Sequence, residues 1–159
     1  MGEVGYVCAL VLAAVFVRAA VAKLSRAQQT AESFAALQLP AARRLAHLVP
    51  VLELVLAVVL IAAPRAGGIA ALVLLVAFTA VLVRAITSGV GAPCNCFGAA
   101  SAEPISCADV LRNLLLASLA VGALFAPAPE RPSPADAGLV IGLCALGAVT
   151  VLTARRRRR

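Results

Sequence analysis

The sequence contains few charged and few aromatic residues. Asp, Glu, Lys and Arg supply 13% of its 159 residues, aromatic residues supply 4%, and tryptophan is absent. Apolar residues instead reach 63%, well above the roughly 45–50% that is usual in soluble proteins. A soluble domain of this length could not bury so much apolar surface, so the composition indicates a chain surrounded by the lipid bilayer.

Acidic residues are scarcer than basic ones, with seven Asp and Glu against fourteen Lys and Arg and a net charge of +7. Part of this excess lies in the tail, where residues 155–159 are all arginine. Such a run can indicate nucleic-acid binding, but beside an apolar segment it more simply holds the chain at the anionic, cytoplasmic face of a membrane. We therefore expect the lipid bilayer, and no nucleic acid, as a partner.

The apolar residues fall into five runs, and each is long enough to cross a hydrocarbon core of about 30 Å at about 1.5 Å per residue. These runs are residues 4–22, 45–63, 69–86, 106–126 and 137–154. The sequence therefore predicts an all-α, polytopic membrane protein. A four-helix transmembrane bundle occupies the domain 1–126, and the remainder, 127–159, holds a Pro-rich connector, a fifth transmembrane helix and the basic tail.

The segments around the first three runs carry further signals. The N-terminal run has no Lys or Arg before Arg18, so it lacks the basic region of a signal peptide and is expected to remain as an uncleaved helix. Residues 25–44 are more polar and are predicted to lie at the membrane interface. The Pro- and Gly-rich residues 64–68 predict a tight turn between the second and third helices.

The basic residues predict the orientation of a five-helix chain. Most of them fall on one side, namely Lys23, Arg26, Arg43, Arg44, Arg84, Arg112 and residues 155–159. Only Arg65 and Arg131 fall on the other. The positive-inside rule then predicts a multi-pass protein of the bacterial inner membrane with its N-terminus outside and its C-terminus in the cytoplasm. The polar loop that joins the third and fourth helices would also lie on the cytoplasmic side.

That loop contains the densest group of reactive side chains, the sequence Cys-Asn-Cys-Phe-Gly at residues 94–98. In a turn, the Cα atoms of residues i and i+2 lie at a separation that overlaps the range of about 4.4–6.8 Å needed for a disulfide. A ring closed between Cys94 and Cys96 is small and strained, and strained, exposed disulfides are the easily reduced ones. The pair therefore favours redox chemistry over structural stapling.

Two other interpretations of the pair stay open at this point. Thiolates also bind soft metals such as copper or zinc, although two rarely complete a site and the single histidine, His47, lies at the start of the second helix. The pair can also be two reduced thiols without a role. Cys8 and Cys144 lie inside apolar runs and are expected to be packing residues.

A third cysteine near the loop supports the redox interpretation. Residues 106–109, Ser-Cys-Ala-Asp, match a capping box before an apolar run. This pattern places Cys107 in the first turn of the fourth helix, where free backbone N–H groups favour a thiolate. Cys107 is therefore a candidate to resolve a mixed disulfide formed at the pair, or else a small residue tolerated at a helix start.

Charged residues inside the apolar runs are the remaining signal. Glu53 lies within the second helix, where an ionised carboxylate needs a partner. Candidate partners are Lys23, Arg18, Arg84 and Arg112; the alternative is a neutral Glu53 with one hydrogen bond to a neighbouring helix. Arg112 and Asn113 follow Cys107 by about one turn, where the guanidinium could stabilise a thiolate or a quinone oxygen, or simply extend to the interface.

Together these residues resemble the MauE family, named for methylamine utilisation, within the DoxX-like membrane proteins. The resemblance rests on Lys23, on Pro50 and Glu53 in a Pro-x-x-Glu pattern, on residues 94–98, and on the pair at 112–113. It implies a helical membrane protein that assists the maturation of disulfide-rich partners such as methylamine dehydrogenase. Its partners would be a thioredoxin-like protein or a periplasmic disulfide-containing client, and its bundle would be similar to that of oxidases that pass electrons to a quinone.

The resemblance also assigns roles to residues. It implies that Cys94 and Cys96 form the redox pair and that Phe97 and Gly98 shape the turn. Its further supporting residues are Arg112, Asn113, Glu53 and Lys23, and the position of Cys107 at a helix start adds that cysteine to them. We therefore expect a membrane thiol–disulfide redox protein with no resident metal. If it is an enzyme, its class is thiol–disulfide oxidoreductase. The rival functions are a thiol-based mercury or copper transporter and a non-catalytic membrane subunit.

Overall fold

The computed structural model describes residues 2–89 and 105–126, which form five helices and contain no strand. These are α1 Gly2–Ser25, α2 Ala27–Ala36, α3 Ala42–Ala62, α4 Pro64–Thr87 and α5 Cys107–Ala123. The predicted all-α class is confirmed for these residues. The predicted fifth transmembrane helix, the connector, the basic tail and residues 94–98 lie outside the described ranges.

Three of the five helices are long and apolar enough to cross a membrane. They are α1, α3 and α4, with mean hydropathies of 2.3, 2.5 and 2.6. The helix α5 matches the predicted fourth run, but its 17 residues extend only about 26 Å at 1.5 Å per residue. The chain is therefore a helical membrane protein with three candidate spans in its described part, and the count of four plus one stays a prediction.

The four long helices alternate in direction, and contacts near their ends fix which ends lie together. The backbone at Gly5, near the start of α1, lies against Ala126, just after α5. Arg65, in the first turn of α4, donates from Nε to the carbonyl oxygen of Ala126 at 3.0 Å. At the opposite end, Leu37, after α2, forms a small apolar cluster with Ala85 of α4 and Ile105. We call this second end the loop end, because residues 90–104 leave from it and return to it.

The core of the bundle is built from small residues and a few large ones. The helix α1 contacts α3, α4 and α5, and its Ala9, Ala13 and Ala20 are fully or almost fully buried. Leu12 and Phe16 of α1 fill the space between the other helices. Because lipid tails are as apolar as the core, close van der Waals contact between small residues is what favours helix association in a membrane.

The predicted tight turn at residues 64–68 is wrong. Pro64 occupies the first turn of α4, and the break between α3 and α4 is a single extended residue, Ala63, with φ −143° and ψ 75°. Proline is well suited to the first helical turn, since its missing N–H would have no helical partner there. Gly67 and Gly68 continue the helix because they allow close packing: a Cβ at Gly67 would lie 2.6 Å from the Cα of Leu60.

The helix α2 is amphipathic and covers the start of α3. Its Phe34 packs with Ala46 and Val49 of α3 in a separate apolar cluster. Its other face carries exposed polar side chains such as Gln28 and Glu32. The predicted interfacial segment, residues 25–44, therefore contains one short helix whose apolar face packs against α3. This pattern is typical of a segment at a membrane surface.

Candidate functional site

A buried ion pair joins α1 to α3. Lys23 Nζ lies 2.7 Å from Glu53 Oε1, and both side chains are 1% exposed. Lys23 is in the last turn of α1, and Glu53 follows the buried Pro50 by one turn of α3. Lys23 is thus the partner of Glu53 among the four predicted candidates; Arg18 and Arg84 are exposed.

Two further helices complete the surroundings of this pair. The ammonium of Lys23 lies 5.9 Å from the ring centroid of Phe78 in α4, within the range of a cation–π interaction. The hydroxyl of Thr30 in α2 donates towards the Lys23 carbonyl at 3.4 Å and the Arg26 carbonyl at 3.2 Å. Glu53 Oε2 is buried and has no hydrogen-bond partner among the described residues. The ion pair therefore joins α1 to α3 and contacts α4 through Phe78, and it leaves one carboxylate oxygen available as an acceptor.

A second buried polar contact joins α5 to α4. Asn113 is 1% exposed, and its Nδ2 donates to the Leu75 carbonyl at 3.0 Å and to Thr79 Oγ1 at 2.8 Å. Thr79 Oγ1 in turn donates to the same Leu75 carbonyl at 2.8 Å. This arrangement satisfies the amide protons of Asn113 in the bundle interior, where unpaired polar groups are costly.

Lys23, Thr79 and Asn113 lie closer to the loop end of α1, α4 and α5 than to the other end, whereas Glu53 lies near the middle of α3. Asn113 follows Cys107 by six residues, about 9 Å along the helix, and Thr79 precedes Thr87 by eight, about 12 Å. We call Lys23, Glu53 and Asn113 the polar layer. It lies beneath the end of the bundle that carries the connection through residues 90–104.

The first turn of α5 has the predicted capping box, so this prediction is confirmed. The Asp109 carboxylate accepts a hydrogen bond from the Ser106 backbone N–H at 3.0 Å. Cys107 is exposed and carries a free thiol. It borders an apolar cleft of about 310 Å³ between α4 and α5, together with side chains such as Ile86 and Leu111. Cys8, by contrast, packs close to Gly122 of α5.

The structure separates the two neighbours Arg112 and Asn113, which the sequence predicts to support the same site. Asn113 faces the bundle interior, whereas Arg112 is exposed and forms a 2.8 Å ion pair with Asp109. The predicted residues Cys94, Cys96, Phe97 and Gly98 lie outside the described residues. The site that the structure assembles is thus the polar layer, with Cys107 at the helix end above it.

Two side chains of α4 that contact the polar layer were not predicted from the sequence. The Thr79 hydroxyl accepts a hydrogen bond from the Asn113 amide, and the Phe78 ring lies against the Lys23 ammonium. Thr79 carried a signal that could have indicated its role, because Thr79 and Arg84 are the polar residues of the run 69–86. Phe78 carried no comparable signal, since a phenylalanine in an apolar run usually packs.

Replacing Asn113 by leucine is expected to destabilise the protein by about 1 kcal/mol, because interhelical hydrogen bonds inside membranes average about 0.6 kcal/mol and reach about 1.7 kcal/mol. The measurement is reversible unfolding in mixed micelles. Ser118→Ala is the matched control, since the exposed Ser118 hydroxyl donates a hydrogen bond within its own helix, to the Leu115 carbonyl. A loss for Asn113→Leu no larger than for the control would contradict the interhelical role.

The fold and the polar layer define the class: a helical membrane protein whose interior holds a lysine–glutamate pair and an asparagine. The chain belongs to the family of methylamine utilisation protein MauE, whose sequence model matches residues 1–126. It is 34% identical to the methylamine utilization protein MauE of Paracoccus denitrificans in an alignment of 144 positions that covers 85% of this chain and 77% of that protein. No solved structure matches the chain. The predicted family resemblance is confirmed.

Proposed function

We propose that this protein is an inner-membrane thiol–disulfide redox protein that assists the maturation of disulfide-containing partners in methylamine utilisation. Its reactive groups are Cys94 and Cys96. The observation that carries the proposal is the match to the MauE family across residues 1–126, a range that contains both cysteines. The buried polar layer supports it, since a polar interior close to the loop end suits a reactive segment at that end.

The chemistry exchanges two electrons between two dithiol–disulfide couples. A client thiolate attacks the Cys94–Cys96 disulfide, forms a mixed disulfide with one cysteine and releases the other as a thiolate. The second client thiolate then attacks the mixed disulfide and releases the first cysteine. The client is oxidised to a disulfide, and the pair is reduced to a dithiol. A thioredoxin-like disulfide restores the pair by the same exchange.

A quinone is the other oxidant that the family resemblance implies, and the described residues fit one. An apolar cleft of about 580 Å³ opens between α4 and α5, with Thr79, Arg84 and Thr87 among its lining residues. Mostly apolar walls with a few polar groups are typical of sites for small aromatic cofactors. A bound quinone would supply the oxidising equivalents, while Arg84 and Thr87 would orient its carbonyl oxygens by donating hydrogen bonds to them.

The distribution of basic residues supports a particular orientation. With the N-terminus outside and the C-terminus inside, the loop end lies in the cytoplasm. In this orientation any thiol that attacks the Cys94–Cys96 disulfide, whether it belongs to a client or to a thioredoxin-like protein, reaches that disulfide from the cytoplasm. Labelling intact cells with a membrane-impermeant maleimide tests the orientation, and the expected result is no labelling of Cys94, Cys96 or Cys107 until the membrane is permeabilised.

Trapping the mixed disulfide tests the function itself. Cys96→Ser is expected to accumulate an adduct with a thioredoxin-like protein, visible after alkylation on a non-reducing gel and removed by dithiothreitol. The adduct should be absent when Cys94 is also replaced by serine. Cys8→Ser is the control, because Cys8 is partly buried against Gly122 of α5, at the end opposite the loop end, and it should leave the redox state of Cys94 and Cys96 unchanged.

The opposite results would overturn this function. A Cys94–Cys96 pair that stays fully reduced under every imposed redox poise has no electron-transfer role. A copper or mercury ion that co-purifies with the protein, and is lost from Cys94→Ser, would instead indicate a transporter of soft metals.

A further inference from the structure

A cleft at the corner between α2 and the start of α3 has features that the redox function does not use. Its volume is about 400 Å³. Small side chains form its walls, namely Ala27, Ala31, Ala35 and Ala42. Its polar lining residues are Gln28, Glu32, Arg43 and His47. We call this cavity the α2–α3 cleft.

The charge around the α2–α3 cleft is predominantly positive. Arg43 lines it and is exposed, and the exposed Arg26 and Arg44 are sequence neighbours of the lining residues Ala27 and Arg43. The one acidic residue in the lining is Glu32, whose carboxylate accepts a hydrogen bond from Gln28 Nε2 at 3.3 Å. Arg43 is the arginine in the lining, and its planar guanidinium suits a phosphate. The exposed Arg26 and Arg44 add positive charge to the surface at this corner, which favours an anionic occupant.

The α2–α3 cleft continues into an apolar surface. His47, at its edge, is followed one turn later by Val51 and two turns later by Val55, which are 50% and 55% exposed. Leu48 and Leu52 beside them are 53% and 46% exposed. Since α3 is a candidate membrane span, this stripe faces lipid tails. A molecule with an anionic head and apolar chains would contact both surfaces at once.

We propose that the α2–α3 cleft binds the headgroup of an acidic phospholipid, with its acyl chains along Val51 and Val55. The arginines supply charge for the phosphate, the alanine walls leave room for the glycerol backbone, and the exposed stripe of α3 receives the chains. Bound lipid bridges α2 to α3 and holds the amphipathic helix at the membrane surface. This site is separate from the polar layer, and the inference does not depend on the redox function.

Native mass spectrometry of the purified full chain tests this site with two lipids, phosphatidylglycerol and phosphatidylcholine. Phosphatidylglycerol is expected to bind about tenfold more tightly than phosphatidylcholine. Arg43→Gln is expected to weaken phosphatidylglycerol binding by about tenfold, as the loss of one charge-assisted hydrogen bond would. Arg18→Gln, which removes the same charge from an exposed position of α1, should leave phosphatidylglycerol binding unchanged.

Ala35→Leu provides a test that keeps every charge. Ala35 is exposed and lines the cleft, so a leucine there fills the site without disturbing the core, and lipid binding should fall as it does for Arg43→Gln. Equal binding of the two lipids would overturn the proposal, and so would equal losses for Arg43→Gln and Arg18→Gln. Displacement of the lipid by glycerol 3-phosphate at equal concentration would also overturn it, because the site would then recognise a soluble phosphate.

Discussion

Replacing Lys23 by methionine is expected to destabilise the protein by about 3–5 kcal/mol, because it leaves the Glu53 carboxylate buried without its counter-charge. Both side chains are 1% exposed and lie 2.7 Å apart, so neither can be solvated when the other is removed. Glu53→Leu should cost a similar amount, since it leaves the Lys23 ammonium in the same apolar surroundings. Reversible unfolding in mixed micelles, or the melting temperature in detergent, measures both losses.

The double variant distinguishes a penalty for one unpaired charge from a net gain by the pair. Lys23→Met with Glu53→Leu is expected to recover most of the stability, because well-packed apolar replacements of a buried pair are often neutral or stabilising. Arg112→Gln is the control at an exposed pair: Arg112 lies 2.8 Å from Asp109 with its side chain 44% exposed, and the change should cost less than about 1 kcal/mol. A double variant as unstable as the single ones would contradict this account.

If the double variant is stable but no longer supports maturation of client proteins, the ion pair has a role beyond folding. The oxygen Glu53 Oε2, which has no hydrogen-bond partner among the described residues, gives such a role a physical basis, since a buried acceptor can bind a donor from another segment. Measuring the oxidation state of Cys94 and Cys96 in the double variant separates the two roles. If the double variant has normal stability and the oxidation state of Cys94 and Cys96 is unchanged, the Lys23–Glu53 ion pair is required neither for folding nor for redox chemistry.

Replacing Gly67 by alanine is expected to destabilise the protein by about 1–3 kcal/mol, although alanine is the better helix former. The added Cβ would lie 2.6 Å from the Cα and 2.7 Å from the backbone nitrogen of Leu60. These are backbone atoms of α3, and α3 is joined to α4 through Ala63 alone, so the two helices cannot easily separate there. Gly67→Leu should have a larger effect and reduce accumulation of folded protein in the membrane.

Ala66→Leu is the matched control for this contact. Ala66 is exposed and adjacent to Gly67 in the first turns of α4, so a larger side chain there extends away from the helix contact. Its stability should match the wild type within about 0.5 kcal/mol, as for most surface substitutions. If Gly67→Ala were as stable as this control, the close approach of α3 and α4 at Gly67 would be refuted.

Local sequence signals predicted the elements of the fold well. Apolar runs of membrane length gave α1, α3 and α4, and the capping box at residues 106–109 gave the start of α5. The error was at residues 64–68, where Pro and Gly were interpreted as a turn. Pro64 instead begins a helix. Gly67 allows close contact with Leu60 of α3, and this contact depends on how the two helices pack.

The candidate site was predictable in part. The rule that an intramembrane carboxylate needs a partner correctly selected Glu53 and included Lys23 among four candidates. The rule could not choose between them, because each candidate is a long, flexible cation on the predicted cytoplasmic side. The roles of Thr79 and Phe78 were not predicted, since they depend on which face α4 turns towards α1 and α5.

The sequence by itself determined that this protein is helical, that it belongs in a membrane, and that two cysteines separated by one residue lie between the last two described helices. These properties follow from composition, run length and residue spacing, which act within one segment. Only the tertiary structure decided that Lys23 pairs with Glu53 and that Asn113 turns inward while Arg112 does not. Such pairings require knowing which helix faces meet, and close contacts of small residues such as Gly67 set those faces.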